Sequence, residues 1–360
     1  MAKRRLSLLV PAALASAASP ASAQDSASQK GLIIADVAAP WLHSGSGIDV
    51  PPKLGNLLRD TIQQNGDQQL DVSVGYRVAD ASTIFTLYIF RAWQPTAPVW
   101  FSQIDAVMHS DSTAKRLGGP LEADPIITAF APPGQKGATA LRSAYSVKSD
   151  HFKSTGSAVI PAGDWLVTVR MSSTKLDKAA LDVALTEAVA TLAIPSPKRE
   201  ADPAVLIAPC PAAMRLKTAK RVIPDMMDSL LSGIESSKAT TEQVNGTGGK
   251  PAESSRPIVW CRDASSTPFY GVYRDTGSSK PGYFMALGDA GIAADVQPSL
   301  AGLVHNTKRI AVILHMLDRD YSFAPFNEVP TPAQVLEVVQ SDQPIGSTDR
   351  SGHTTITVTK

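Results

Sequence analysis

Five prolines between Ile194 and Pro211 divide this 360-residue chain more sharply than any other feature. Pro195, Pro197, Pro203, Pro209 and Pro211 lack the backbone donor that a helix interior or central strand requires, and each disfavours helix at the residue before it. The charged run Lys198-Arg199-Glu200 lies among them, so apolar periodicity stops here and the segment 194–211 reads as an extended linker. A chain of this length exceeds what one hydrophobic core usually supports. Two domains are therefore expected, over 31–193 and 212–360.

The patterns on either side of the linker give each domain a mainly antiparallel sheet with flanking helices, an α+β class. In the first, Leu54, Leu57, Leu58 and Ile62 recur at helical spacing. Leu70, Val72, Val74, Tyr76 and Val78 alternate with polar residues as a half-buried strand does, and 84–90 is apolar on both faces. A short helix is expected over 100–108, with strands at 126–131, 139–147 and 158–171. A closing helix follows, capped by Thr174 with Asp177 at its third position, whose buried stripe is Leu181, Leu185, Ala188 and Leu192. In the second domain Pro224 starts a helix striped by Met226/Met227, Leu230/Leu231 and Ile234. Strands follow at 258–261, 269–273, 283–287 and 309–317. Thr331, Pro332 and Gln334 then spell a capping box, and alternating 354–359 makes an edge strand. The Ser/Thr/Gly-rich stretch 236–255 has too few apolar groups to order itself and reads as a mobile loop. Strands that follow one another at hairpin spacing favour α+β over a doubly wound parallel sheet.

The N-terminus carries an address. Lys3, Arg4 and Arg5 precede an uncharged Leu/Ala-rich run from Leu6 to Ala18, and Ala21-Ser22-Ala23 offers small side chains at a cleavage site. This three-part pattern is a secretory signal over 1–23, leaving Gln24 as the new N-terminus and a disordered tail over 24–30. Ser7 stands where a twin-arginine signal wants a large apolar residue, which favours general secretion. The run is too short to persist as a transmembrane anchor, so the mature protein is expected to be soluble in the periplasm or medium. Its three cations leave with the leader, and 31 basic residues then face 33 acidic ones. A near-neutral chain has no global field for nucleic acid or an anionic membrane, and nucleic-acid binding is excluded. Cys210 and Cys261 are the only cysteines and stand 51 positions apart, too far for a metal or redox motif. In an oxidising compartment they are expected to form one disulfide.

The run Gly75-Tyr76-Arg77 into Ile84-Phe85-Thr86-Leu87-Tyr88, then Gly163-Asp164-Trp165-Leu166-Val167-Thr168-Val169-Arg170 and an amphipathic helix, resembles secreted Gram-negative bacterial proteins of uncharacterised role. The order of elements over roughly 50–193 is also similar to the Mog1/PsbP-like α+β pattern. That resemblance implies a small binding or assembly-assisting module and carries no catalytic residues with it. Residues from 200 onward resemble no such family.

Motifs that carry chemistry are sparse. No two of the six histidines stand four apart, as ligands on one helix face would, so no metal site is expected and no cofactor is implied. No Gly-x-Ser-x-Gly elbow is present, and Gly288-Asp289-Ala290-Gly291 fits a turn between strands. Asp318-Arg319-Asp320 is the one compact ionic cluster after an apolar run. With His315 and Tyr273 it is the candidate polar site, capable of acid and base work if folding converges these groups; the plainer reading is a solvated turn. Arg215, Lys217, Lys220 and Arg221 form a candidate basic patch for an anionic head group, and a solvated face explains them as simply. Two function classes follow. One is a non-catalytic envelope module that binds a protein partner or small ligand through a sheet face or interdomain groove. The other is a secreted hydrolase or isomerase with a dispersed acid/base site. The first is favoured because no nucleophile or metal motif appears.

Overall fold

A computed structural model describes residues 31–357 apart from 34, 37, 199–200 and 245–257. The expected leader and tail lie outside the described residues. The chain opens with β1 (Gly31–Leu32), β2 (Trp41–His43), β3 (Ile48–Val50), β4 (Lys53–Leu54) and β5 (Leu57–Gln64). Next come β6 (Asp71–Arg77), β7 (Thr83–Arg91), α1 (Ala97–Met108), α2 (Asp111–Leu117) and β8 (Ile126–Phe130). The first half closes with β9 (Ala140–Ser146), β10 (Ser154–Ala162), β11 (Trp165–Ser173) and α3 (Lys178–Ala190). Its antiparallel sheet runs β1-β5-β6-β7-β11-β10-β9-β8, with β4 also beside β5, and β2 pairs with β3 as a separate ribbon.

The second half begins with β12 (Ala208–Pro209), α4 (Met226–Val244), β13 (Trp260–Arg262), β14 (Tyr270–Asp275) and β15 (Tyr283–Leu287). It continues through β16 (Ile292–Pro298), α5 (Leu300–Val304), β17 (Ile310–His315) and β18 (Arg319–Ser322). The last elements are α6 (Pro332–Ser341), β19 (Gly346–Asp349) and β20 (Thr354–Ile356). Here the strands pair in chain order, β12 through β20, antiparallel throughout except for β12 beside β13. The fold is mostly antiparallel sheet with some helices.

Side-chain alternation explains how the sheets stack. On β7, Phe85, Leu87 and Ile89 face the core beneath α3, while Phe90 turns to the opposite side with Val159 and Leu166. On the second sheet Tyr273, Phe284, Ala286 and Ala293 join that same opposite-side cluster, and Val272, Met285, Ala294 and Val312 face α6. Helix α1 fills the layer between the two sheets. Val99, Trp100, Phe101, Ile104 and Met108 are all buried, and a helix apolar around most of its circumference belongs inside. The halves therefore share an apolar layer where a polar interdomain groove was expected. The described part of the 194–211 segment is no free spacer: Ala204 and Ile207 pack into the shared layer, and β12 adds to the second sheet.

Several sequence expectations change. Residues 53–64 form a hairpin, not a helix; Gly55 turns the chain at φ 59°, and Leu57 and Ile62 bury from a bulged strand. The expected strand at 158–171 is two, β10 and β11, joined at Gly163 with φ 65°. Asp177, not Thr174, caps α3 by accepting from the Ala180 amide. Helix α4 continues through Val244, into the stretch read as a loop; 245–257 lie outside the described residues. The α6 capping box is present, and Cys210 and Cys261 are disulfide-bonded with Cα atoms 4.8 Å apart.

Candidate functional site

The sequence-derived candidates fall into three different settings. Asp318 is exposed at the β17–β18 turn, where its carboxylate accepts from Arg319 Nε at 2.9 Å. Asp320, two residues on, sits in β18 opposite His315 and is fully buried. The solvated-turn reading thus holds for Asp318 and fails for Asp320, because strand alternation and the β17–β18 register turn the latter inward.

His315 is the centre of the buried cluster. Its Nδ1 lies 2.9 Å from Asp320 Oδ1 and its Nε2 lies 3.2 Å from Asp295 Oδ2. Ionised carboxylates only accept, so both ring nitrogens must donate and the ring is an imidazolium. Burial opposes that charge most strongly, but the two aspartates outweigh it and hold the His315 pKa above its ordinary value. Arg350 closes the network, 3.3 Å from Asp320, with a second donor 2.6 Å from the Met316 carbonyl. Trp93, from the first half, stacks on His315 with centroids 3.7 Å apart and planes within 3°, and Arg350 lies over the indole at 5.9 Å. Arg91, on the same approach, is pulled below its usual pKa by burial and by Arg350. The arrangement fastens one half of the chain to the other. A histidine with both nitrogens held by carboxylates has no free lone pair with which to take a proton.

Tyr273 lies elsewhere on the same face. Its hydroxyl accepts from Arg262 Nη1 at 2.6 Å and donates to the Val99 carbonyl at 3.1 Å, beneath α1. Burial raises its pKa despite the nearby Arg262. Ser102 and Gln103 of α1 also accept from Arg262, and Tyr145 donates to Asp105 one helical turn away. The four expected site residues are thus split between two buried polar knots and one exposed turn. Trp93, Asp295, Arg350, Arg262, Asp105 and Tyr145 complete those knots, and only their distance in sequence hid them. Among the described residues no three His, Cys, Asp or Glu groups are placed to hold a metal ion.

The basic run divides as well. Arg221 pairs with Asp342 at the end of α6 and covers the Phe326 ring at 5.5 Å. Arg215, Lys217 and Lys220 are exposed. They lead directly into α4, whose faces are reversed. Met226, Met227, Leu230 and Ile234 lie within one third of the helix circumference, and all four are exposed. Asp228, Ser229, Ser232 and Glu235 take the opposite side and are buried. Small residues let that polar side approach β18–β20 closely: a Cβ at Gly233 would stand 2.8 Å from Thr354 Cγ2. Asp228 is neutralised by Arg309, and Glu235 accepts from the Leu300 amide at the start of α5. Leu303 and Val304 of α5, and Ile223 before α4, add to the exposed apolar surface. A concavity of about 780 Å³ lies between α3 and the β4–β5 turn, floored by Leu54, Leu57, Met171 and Ala188. The chain matches no family model, no curated protein and no solved structure.

Proposed function

We propose that this chain is an exported, non-catalytic envelope module that binds through the outward apolar face of α4 and α5. One observation carries the reading: α4 turns its methionine, leucine and isoleucine stripe outward and its aspartate, serine and glutamate side inward. A helix that buries polar groups and exposes apolar ones leaves hydrophobic surface in water unless something covers it, and contiguous exposed patches mark interaction sites. Methionine suits such a face because its unbranched thioether adapts to its partner. The leader over 1–23, its cleavage after Ala23 and a periplasmic location belong to this proposal, and the disulfide is compatible with an oxidising compartment. So does a division into two α+β halves, the first with the Mog1/PsbP-like order of elements. The hydrolase or isomerase alternative loses ground because His315 is held as an imidazolium and the Tyr273 hydroxyl is committed to Arg262 and Val99.

The test uses single thiols in a chain whose own cysteines are bonded to each other. Leu230→Cys is expected to react quickly with a maleimide in the purified protein and slowly in intact cells. Val183→Cys on exposed α3 is expected to react equally in both. If Leu230→Cys labels as fast in cells as in solution, the face is uncovered and the proposal fails.

A further inference from the structure

We infer that the concavity between α3 and the β4–β5 turn is a second binding site, separate from the α4–α5 face, and that it takes a small amphipathic amine: an apolar body carrying one ammonium group. The space follows from the width of the first sheet. Strands lie about 4.8 Å apart, so a row of this many is much wider than the roughly 10 Å that one helix covers. Helix α3 packs over β8, β9, β10 and β11, while the β4–β5 hairpin stands at the β5 side. Between these two covers the concavity reaches down to Leu54, Leu57, Met171 and Ala188, all at most 3 % exposed, and Gly55 and Asn56 of the hairpin turn form one exposed lip. Its volume of about 780 Å³ is that of a cavity holding a small organic molecule, and an apolar floor with a few polar groups at the rim is the usual lining.

The charges select the head group. Asp80, Lys175 and Glu187 are the charged side chains of the lining. Asp80 accepts from Lys175 Nζ and from the Ser82 hydroxyl and amide, so that pair cancels. Glu187 enters no ion pair among the described residues and is the surplus charge. It stands in the last turn of α3, which carries no basic residue. The carbonyls that end a helix bear partial negative charge and favour a cation. A carboxylate placed there adds to that potential, and nothing in the turn offsets it. An ammonium group at this rim is attracted by both, and an anionic head is repelled by both. Ala184 lies one helical turn from both Glu187 and Ala188, and with Leu176 it makes a half-buried apolar wall. One molecule can therefore lay its body on the apolar wall and floor with its head at the Glu187 carboxylate.

The probes are octylammonium, octanoate and octanol, which share one chain and differ in the charge of the head. Binding to the purified protein is followed by titration calorimetry and by the methyl resonances of its methionines. Octylammonium is expected to bind about tenfold more tightly than octanoate, with octanol between them, because an exposed charge contact is worth a few-fold in either direction. It is expected to shift the methyl of Met171, which lines the concavity, and to leave those of Met226 and Met227 unmoved. Glu187→Gln is expected to bring the three affinities within about twofold of one another. Ala184→Trp, which fills the space from its wall, is expected to weaken all three at least about tenfold, with unchanged circular dichroism showing that the variant is folded. Equal affinity for the ammonium and the carboxylate, a preference that survives Glu187→Gln, or a Met171 methyl indifferent to octylammonium overturns the inference. So does a shift confined to Met226 and Met227, because the α4 face then holds the chain. Labelling of Leu230→Cys in cells tests that face separately, so either site can fail without the other.

Discussion

Replacing Asp320 with Asn removes one charge from the buried cluster with almost no change of shape, and its cost can be worked from the contacts. His315 and Asp320 are both fully buried, so solvent screens neither. The substitution leaves the imidazolium with Asp295 alone, at 3.2 Å, and deprives Arg350 of a carboxylate 3.3 Å away. Stranding one partner of a buried ion pair costs about 3–5 kcal/mol, and that is the expected loss. The pH dependence supplies a sharper signature. In the wild type the aspartates hold His315 above its ordinary pKa against burial. Its contribution is therefore fully present below the unfolded value near 6.5 and is lost as pH rises through the folded pKa, by at most about 1.4 kcal/mol per pH unit. Without Asp320, burial prevails and drives the His315 pKa below 6.5. Its contribution then reverses sign, with stability gained as pH rises toward about 6.5. Urea unfolding across this range, with His315→Gln as the reference, isolates the effect from His43, whose pKa burial lowers. A loss under about 1 kcal/mol, or the same slope in wild type and Asp320→Asn, would refute the reasoning.

Other consequences are independent of that cluster. Changing Cys210 and Cys261 to Ser opens a link across 51 residues and is expected to cost about 2–5 kcal/mol in urea titration. Gly291→Ala is expected to cost more than the ~1 kcal/mol of an average point substitution. Its φ is 85°, and a Cβ there would stand 2.5 Å from the Arg91 carbonyl oxygen, where the β15–β16 turn meets β7; an unshifted denaturation midpoint contradicts this packing. Met226→Ser with Leu230→Ser is expected to change stability by less than about 0.5 kcal/mol per site, because both side chains are already in water.

The fold was legible wherever one local rule decided the outcome. Alternation found β6, a run apolar on both faces found β7, the capping box found α6, and two cysteines with no competitor found their bond. It was misread where two periods fit the same residues. Leu54, Leu57 and Ile62 suit a helix by spacing, yet a turn at Gly55 and a bulge after Arg59 bury them from strands. Helix α4 shows a deeper limit. Its apolar stripe was visible, but periodicity gives the width of a face and not its direction. The direction was set by Ser229, Ser232 and Gly233, small enough to let the helix backbone settle on β18–β20. His315 and Asp320 were named from sequence; Trp93 and Arg350 were not, since 222 and 35 positions respectively separate them from a ring that only the stacked sheets bring near.

The reversed orientation of α4 underlies the binding proposal, and thiol reactivity along that helix in the purified protein measures it directly. Single cysteines at positions 226, 229, 230, 232 and 234 are labelled with a maleimide under native conditions and followed by mass. The account predicts rapid labelling at 226, 230 and 234 and strong protection at 229 and 232, in keeping with their exposure and burial. The opposite pattern, with 229 and 232 fast and 226, 230 and 234 protected, would mean that the apolar stripe faces the core and that α4 offers no binding face.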